Sequence, residues 1–285
     1  MENQGSPTTP SYQAPKKLIN WLKLLQFIST KAAYNQAIRF FFTPIKFPTP
    51  EREEEFKHSS IVSREEVNGK RITVYHIDKG QKNILLVHGW SGRATQFYKI
   101  APALAKMGFK VYTFTAPAHG SSTDNQTHML EFTDCITYLD NKYGPFEAIV
   151  AHSIGGAATL NAIKQGVKTK KVVLLGVPGY IKDIVVDFCN RLQLNDKVQN
   201  MIIKHLKEKY ADDYEQFSTT RLAEQMNIPA LIIHDTEDND VDVAFARENH
   251  RIWKQSEYME TNGLGHRLIL SDINVINRIK EFVAN

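Results

Sequence analysis

The sequence predicts an α/β fold: a mostly parallel central sheet with helices on both faces and a helical cap insertion. Three observations predict it. From about residue 58, short apolar runs alternate with stretches of helical periodicity. The alternation stops between Pro178 and Asn227, where only helical patterns remain, and resumes at Pro229. A chain of 285 residues that is 42% hydrophobic is large enough for one such domain with an insertion.

The elements follow in chain order. Met1–Pro15 is polar and rich in Pro, Ser, Thr and Gln, which predicts a disordered tail. Residues 16–42 read as an amphipathic helix. Lys16, Lys17, Asn20, Lys23, Gln26 and Thr30 share one face, and Leu18, Trp21, Leu22, Leu25 and Ile28 take the other. Such a stripe predicts docking on the body of the protein. The alternative is peripheral contact with a membrane or lipid through the same helix. Its polar interruptions argue against a signal segment or a membrane span. Prolines between Thr43 and Pro50 end the helix. The acidic run Glu51–Glu55 reads as a solvated linker, closing an N-terminal segment at 16–57 ahead of a domain at 58–285.

Within that domain, Ser59–Ser63 and Arg71–His76 predict strands joined by the turn Asn68-Gly69. Asn83–His88, Phe109–Thr115, Phe146–His152, Lys171–Val177, Pro229–His234 and Glu257–Thr261 predict further strands. Thr95–Met107, Met129–Asn141, Gly155–Gln165, Val243–Trp253 and Ile273–Val283 predict helices. The interruption at about 178–228 is an insertion between two strands, placed to cap the C-terminal edge of the sheet.

A net charge of +4 with dispersed Lys and Arg does not predict a nucleic-acid partner. Cys135 and Cys189 make no disulfide scaffold and fit a reducing, cytoplasmic setting. Neither cysteine has the setting of an activated thiolate. Neither a GxxxxGK[ST] loop nor an HExxH pair is present, so no nucleotide, cofactor or metal is expected. His88, His119, His128 and His152 are expected as hydrogen-bonded histidines rather than ligands.

Four placements carry chemistry. Ala151-His152-Ser153-Ile154-Gly155-Gly156 joins a predicted strand to a predicted helix, so Ser153 sits on a strained turn over a helix N-terminus. Ala151 and Gly155 are small, as that turn requires of the positions two away on each side. His88-Gly89-Trp90-Ser91-Gly92 follows an earlier strand. Its backbone, at Trp90, pairs with the N–H of Ile154 as a candidate oxyanion hole. The loop from Asp235 to Asp240 follows a strand and offers the acid, with Asp238 preferred and Asp235 the alternative; Asp240 and Asp242 read as helix caps. Gly263-Leu264-Gly265-His266 follows the last strand and offers the base. The chain order is then Ser, Asp, His.

Together these motifs resemble the α/β-hydrolase superfamily, in its serine carboxylesterase and lipase-like branch, over about residues 58–285. The stretch Ala116-Pro117-Ala118-His119-Gly120-Ser121-Ser122 is also similar to the superfamily's Asp-x-x-Gly-His-Gly-x-Ser, with Thr115 in place of the Asp and Ala118 in place of the first Gly. Ala151 likewise stands where the usual elbow has Gly. The expected activity is hydrolysis of an uncharged or lipid-like carboxylic ester through an acyl-enzyme on Ser153. Acyl transfer or thioester hydrolysis by the same residues, or ligand binding without catalysis, are the alternatives.

Overall fold

The computed structural model describes residues 13–122 and 124–285, so most of the expected N-terminal tail lies outside the described residues. The region 16–42 is two helices, α1 (Lys16–Ile28) and α2 (Thr30–Phe41), rather than one. Ser29 separates them. Its backbone is extended and its hydroxyl accepts the Ala32 N–H, capping α2. The docked face of α1 also differs from the expected stripe. Leu22 is buried and Gln26 bonds to Gln193 O and Asn195 N, whereas Trp21 and Ile28 point outward.

The acidic run is not a solvated linker. It forms a 3-10 turn at Glu51–Glu53 and runs into α3 (Glu54–Ser59). Glu53 is buried, and Arg93 Nε and Nη2 donate to its two oxygens at 2.7 and 2.9 Å. Thr95 Oγ1 donates to the same carboxylate at 2.6 Å. A buried charge persists only when paired this fully. The pair fastens the N-terminal segment to the loop that carries Trp90.

Among the described residues, eight strands form one sheet. They are β1 (Ile61–Val67), β2 (Lys70–Ile77), β3 (Lys82–Val87), β4 (Phe109–Thr115), β5 (Phe146–His152), β6 (Thr169–Leu175), β7 (Ala230–Asp235) and β8 (Ser256–Thr261). Their order is β1-β2-β4-β3-β5-β6-β7-β8. The β1–β2 and β2–β4 pairs are antiparallel and the remaining pairs parallel. The helices of the alternation are α4 (Ile100–Ala105), α5 (Met129–Tyr143), α6 (Ile154–Lys164), α10 (Val243–Ile252) and α12 (Ile273–Ala284). The helix expected over Thr95–Met107 is shorter, because Ala94–Phe97 is a separate 3-10 turn.

The central strands are apolar at every position because both faces are covered. Successive residues feed opposite cores. Ile84 and Leu86 pack with Leu104 of α4 and Ile279 of α12, whereas Leu85 and Val87 pack with Phe132 of α5 and Leu160 of α6. The insertion between β6 and β7 holds α7 (Ile181–Leu192), α8 (Asp196–Lys209) and α9 (Thr219–Ala223). Its helices do not pack alone. Val185, Cys189, Ile202 and Leu206 form a third core with Ala33 and Ala37 of α2.

Candidate active site

Ser153 follows the last residue of β5 and precedes the first residue of α6. Its φ of 53° and ψ of −132° are a conformation that non-glycine residues rarely adopt. Two backbone hydrogen bonds hold it there: Ser153 N–H to Leu175 O and Gly156 N–H to Ser153 O, both 2.9 Å. The turn therefore lifts the hydroxyl off the sheet edge. The need for Gly155 comes from the neighbouring strand rather than from the turn itself. A Cβ there would lie 2.5 Å from His88 O and 2.8 Å from Val87 O, so the end of β3 excludes it. Gly89 is excluded from bearing a side chain by the elbow itself, since its Cβ would lie 2.7 Å from Ser153 Cβ. The two loops can approach only because both positions are bare.

That approach places the Trp90 loop against Ser153. Ser91 N–H donates to His119 Nε2, and His119 Nδ1–H donates to Pro117 O. His88 Nδ1–H donates to Gly89 O, while its Nε2 accepts the Ala116 N–H. Both rings are thus held in one neutral tautomer and serve as struts for the loop. The N–H groups of Trp90 and Ile154 donate to no group among the described residues. They are available to a negative oxygen, at the positive end of α6 in the case of Ile154.

Asp238 and His266 meet. His266 Nδ1–H donates to Asp238 Oδ2 at 2.7 Å, which in the neutral ring makes Nε2 the acceptor. His266 lies in a short helical turn, α11 (Gly265–Leu268), rather than in an open loop. The carboxylate is almost wholly buried. Its Oδ1 accepts the N–H groups of Asp240 and Val241, both at 2.9 Å. A second histidine, His234 near the end of β7, donates its Nε2–H to Val241 O at 2.9 Å and lies with the same nitrogen 3.3 Å from Oδ2. Burial alone would raise the Asp238 pKa, but bonds from His234 and His266 outweigh it and hold the acid well below the ordinary carboxylate range. Asp238 is therefore a fixed negative charge behind the imidazole at neutral pH.

Asp235 does other work. Its oxygens accept from Thr261 Oγ1 and from the N–H groups of Glu237, Leu264 and Gly265. It ties the loop bearing Asp238 to the turn bearing His266 and does not face the imidazole. Of the two residues read as caps, Asp242 caps α10, whereas Asp240 pairs with Arg191 of α7 at 3.0 Å. His152, expected as a hydrogen-bonded histidine, is one. Its Nε2–H donates to His266 O at 2.8 Å, and the two rings lie 4.6 Å apart. His234 and His152 are positioning residues that the sequence reading did not assign. Each stands at the C-terminal end of a strand beside a site residue, which is the signal that would have found them.

Ser153, Trp90, Ile154, Asp238 and His266 line one cavity of about 1100 Å³. No hydrogen bond joins Ser153 Oγ to His266 among the described residues. Nucleophile–base bonds of this kind commonly tighten only around bound substrate. Beyond the polar end, the apolar part of the wall includes Phe41 and Phe42 at the end of α2, Ile184 and Phe188 of α7, and Leu206 of α8. The described residues hold no group of three or more metal-ligating side chains. Both cysteines are free and buried, and burial raises both thiol pKa values, that of Cys189 to about 11.

The buried histidines make stability depend on pH. Burial lowers His119 to about 4 and His152 to about 3, with the neighbouring His266 adding to the latter. An unfolded histidine titrates near 6.5. The folded state therefore refuses protons that the unfolded chain takes up. Stability is fully present above about pH 6.5 and falls as pH drops toward 4, by up to about 1.4 kcal/mol per pH unit for each ring. Urea midpoints should decline from about pH 6.5 downward, before most carboxylates titrate. A flat midpoint across that window would contradict neutral burial of these rings.

A family model described as "Alpha/beta hydrolase family" matches residues 84–275. No curated protein sequence matches significantly. Among solved structures, the chain is similar to a bromoperoxidase from Bacillus anthracis, at 19% identity and TM-score 0.60, over 79% of this chain and 100% of that one. It is similar to a Pyrococcus furiosus esterase at 16% identity and TM-score 0.65, over 85% and 98% of the two chains. An esterase from Exiguobacterium antarcticum matches at 15% identity and TM-score 0.62, over 79% and 100%. At these identities the likeness is one of fold. No helix among the described residues is long and apolar enough to cross a membrane. With two thirds of its length matched by the model, and with the expected mostly parallel sheet, this chain belongs to the alpha/beta hydrolase family.

Proposed function

We propose that the chain is a serine hydrolase of carboxylic esters with a large apolar part, working through an acyl-enzyme on Ser153. One observation carries the reading: an Asp238–His266 pair with a buried carboxylate shares a largely apolar cavity with a serine held on a strained strand-to-helix turn. His266 Nε2 takes the Ser153 Oγ proton as Oγ attacks the ester carbonyl. The N–H groups of Trp90 and Ile154 hold the oxyanion that forms. Collapse of that adduct expels the alcohol, which takes its proton from His266. Water then adds to the acyl group with His266 as base, and the carboxylic acid leaves as Ser153 regains its proton. Asp238 keeps Nδ1 protonated and stabilises the imidazolium in both halves.

The wall of Phe41, Phe42, Phe188 and Leu206 favours an uncharged, lipid-like acyl group. A cavity of about 1100 Å³ is at the upper end of small-molecule sites, which supports a bulky rather than an acetyl-sized substrate. The proposed setting is the cytoplasm, where free buried thiols such as Cys135 and Cys189 persist. The test is a series of p-nitrophenyl esters of rising acyl length together with a fluorophosphonate probe. We expect kcat/KM to rise with chain length and the probe to label Ser153. Absence of both turnover and labelling would leave ligand binding as the function. Formation of a new ester when an alcohol is added would point to acyl transfer.

A further inference from the structure

The first helix meets the protein with one side only. Leu22 is buried and Gln26 is hydrogen-bonded to the loop after α7. The opposite side of α1 presents large apolar groups: Trp21 is 43% exposed, Leu24 57%, Phe27 88% and Ile28 69%. At 100° per residue these four fall within one third of the helix circumference. Single exposed apolar residues need no explanation, but a contiguous aromatic and aliphatic face does.

Charge says what covers it. The α1 and α2 segments carry Lys16, Lys17, Lys23, Lys31 and Arg39 and not one Asp or Glu. All five cations are exposed. Over the whole chain Lys and Arg number 35 against 31 Asp and Glu, so the bias belongs to this segment and not to the protein at large. An apolar strip bordered by cations, without anions, is complementary to an anionic lipid surface: the side chains enter the acyl region and the ammonium groups stay among the headgroups. The same helix borders the cavity, since Leu18 is part of its wall.

We propose that α1 seats the protein on an anionic bilayer and so presents the cavity to lipid-like esters in that surface. The docking stands on exposure and charge alone. Only the delivery of substrate rests on the esterase reading.

The test uses the full chain carrying Ser153→Ala, so that hydrolysis plays no part. Cosedimentation is measured with phosphatidylcholine vesicles and with vesicles also containing phosphatidylserine, at low and high salt. We expect binding to the anionic vesicles, weakened by salt, and little binding to phosphatidylcholine alone. Phe27→Gln should weaken binding roughly tenfold, and Lys17→Gln and Lys23→Gln about fivefold each. All three positions are exposed, so the melting temperature should not change, which separates loss of docking from loss of fold. Equal binding by wild type and Phe27→Gln overturns the proposal, as does an absence of binding to either vesicle. A monomer–dimer equilibrium abolished by Phe27→Gln, without vesicle binding, would assign the face to a second copy instead. In the active protein, loss of vesicle binding with unchanged turnover of soluble esters would leave the esterase reading standing. Docking without any ester turnover would do the reverse.

Discussion

Replacing Ser153 with alanine is expected to lower ester turnover roughly a million-fold, the loss seen when a nucleophile acting as a unit with its base is removed. The substitution keeps the Cβ and therefore the same strained backbone, so folding should be almost unchanged. It also leaves the Trp90 and Ile154 N–H groups in place. A residual rate above that of water should persist from them, because oxyanion stabilisation does not depend on the hydroxyl. The measurement is steady-state hydrolysis of the best ester of the series, with the fold checked by thermal melting. Wild-type turnover in the alanine protein would sink the acyl-enzyme mechanism.

Asp238→Asn is the second large effect, expected at roughly ten-thousand-fold in kcat. The reasoning is one of proton placement. Asp238 Oδ2 accepts from His266 Nδ1–H, which keeps Nε2 free to receive the serine proton. An amide presented at that place can donate to Nδ1 and stabilise the opposite tautomer, with Nε2 already protonated. Asp235→Asn makes the control. Its carboxylate accepts four bonds from the two loops, three of them from backbone N–H groups. An amide cannot accept all of them, so the expected loss is mainly in stability, about 1.5–3 kcal/mol for each charged hydrogen bond broken. Parallel kcat measurements and urea unfolding distinguish the two roles. If Asp235→Asn abolished turnover and Asp238→Asn did not, the assignment of the acid would be reversed.

The site was legible where its parts are local. A strand that ends in His152, then Ser153, then at once a helix dictates the elbow through the conformations of consecutive residues. The bounds of β4 and β5 coincide with the expected strands, because an apolar run buried on both faces leaves little room for another element. The choice between Asp238 and Asp235 was not local. Asp235 ends β7 and Asp238 follows it by three residues, and only the path of the turn after β8 decides which one meets His266 and which one holds the turn.

The N-terminal segment shows the opposite limit. Amphipathic spacing correctly marked a helix-forming stretch, yet it could not say which side would dock. Gln26 turned inward because Gln193 and Asn195 stand opposite it, more than 160 positions away in the chain. Glu53 looked like one acid among several, and became a buried ion because Arg93 and Thr95 surround it.

By itself, the sequence determined the alternation of strands and helices and the place of the insertion, and it offered a serine, an acid and a histidine just past β5, β7 and β8. Backbone propensity and burial periodicity are written in neighbouring residues, so they can be read in one dimension. Tertiary structure alone decided which carboxylate pairs with the imidazole, that the insertion shares its core with α2, and that α1 keeps an apolar side in water. Those outcomes depend on which distant surfaces come into contact, and a hydrogen bond or a packed face acquires its energy only once both partners have been brought to the same place.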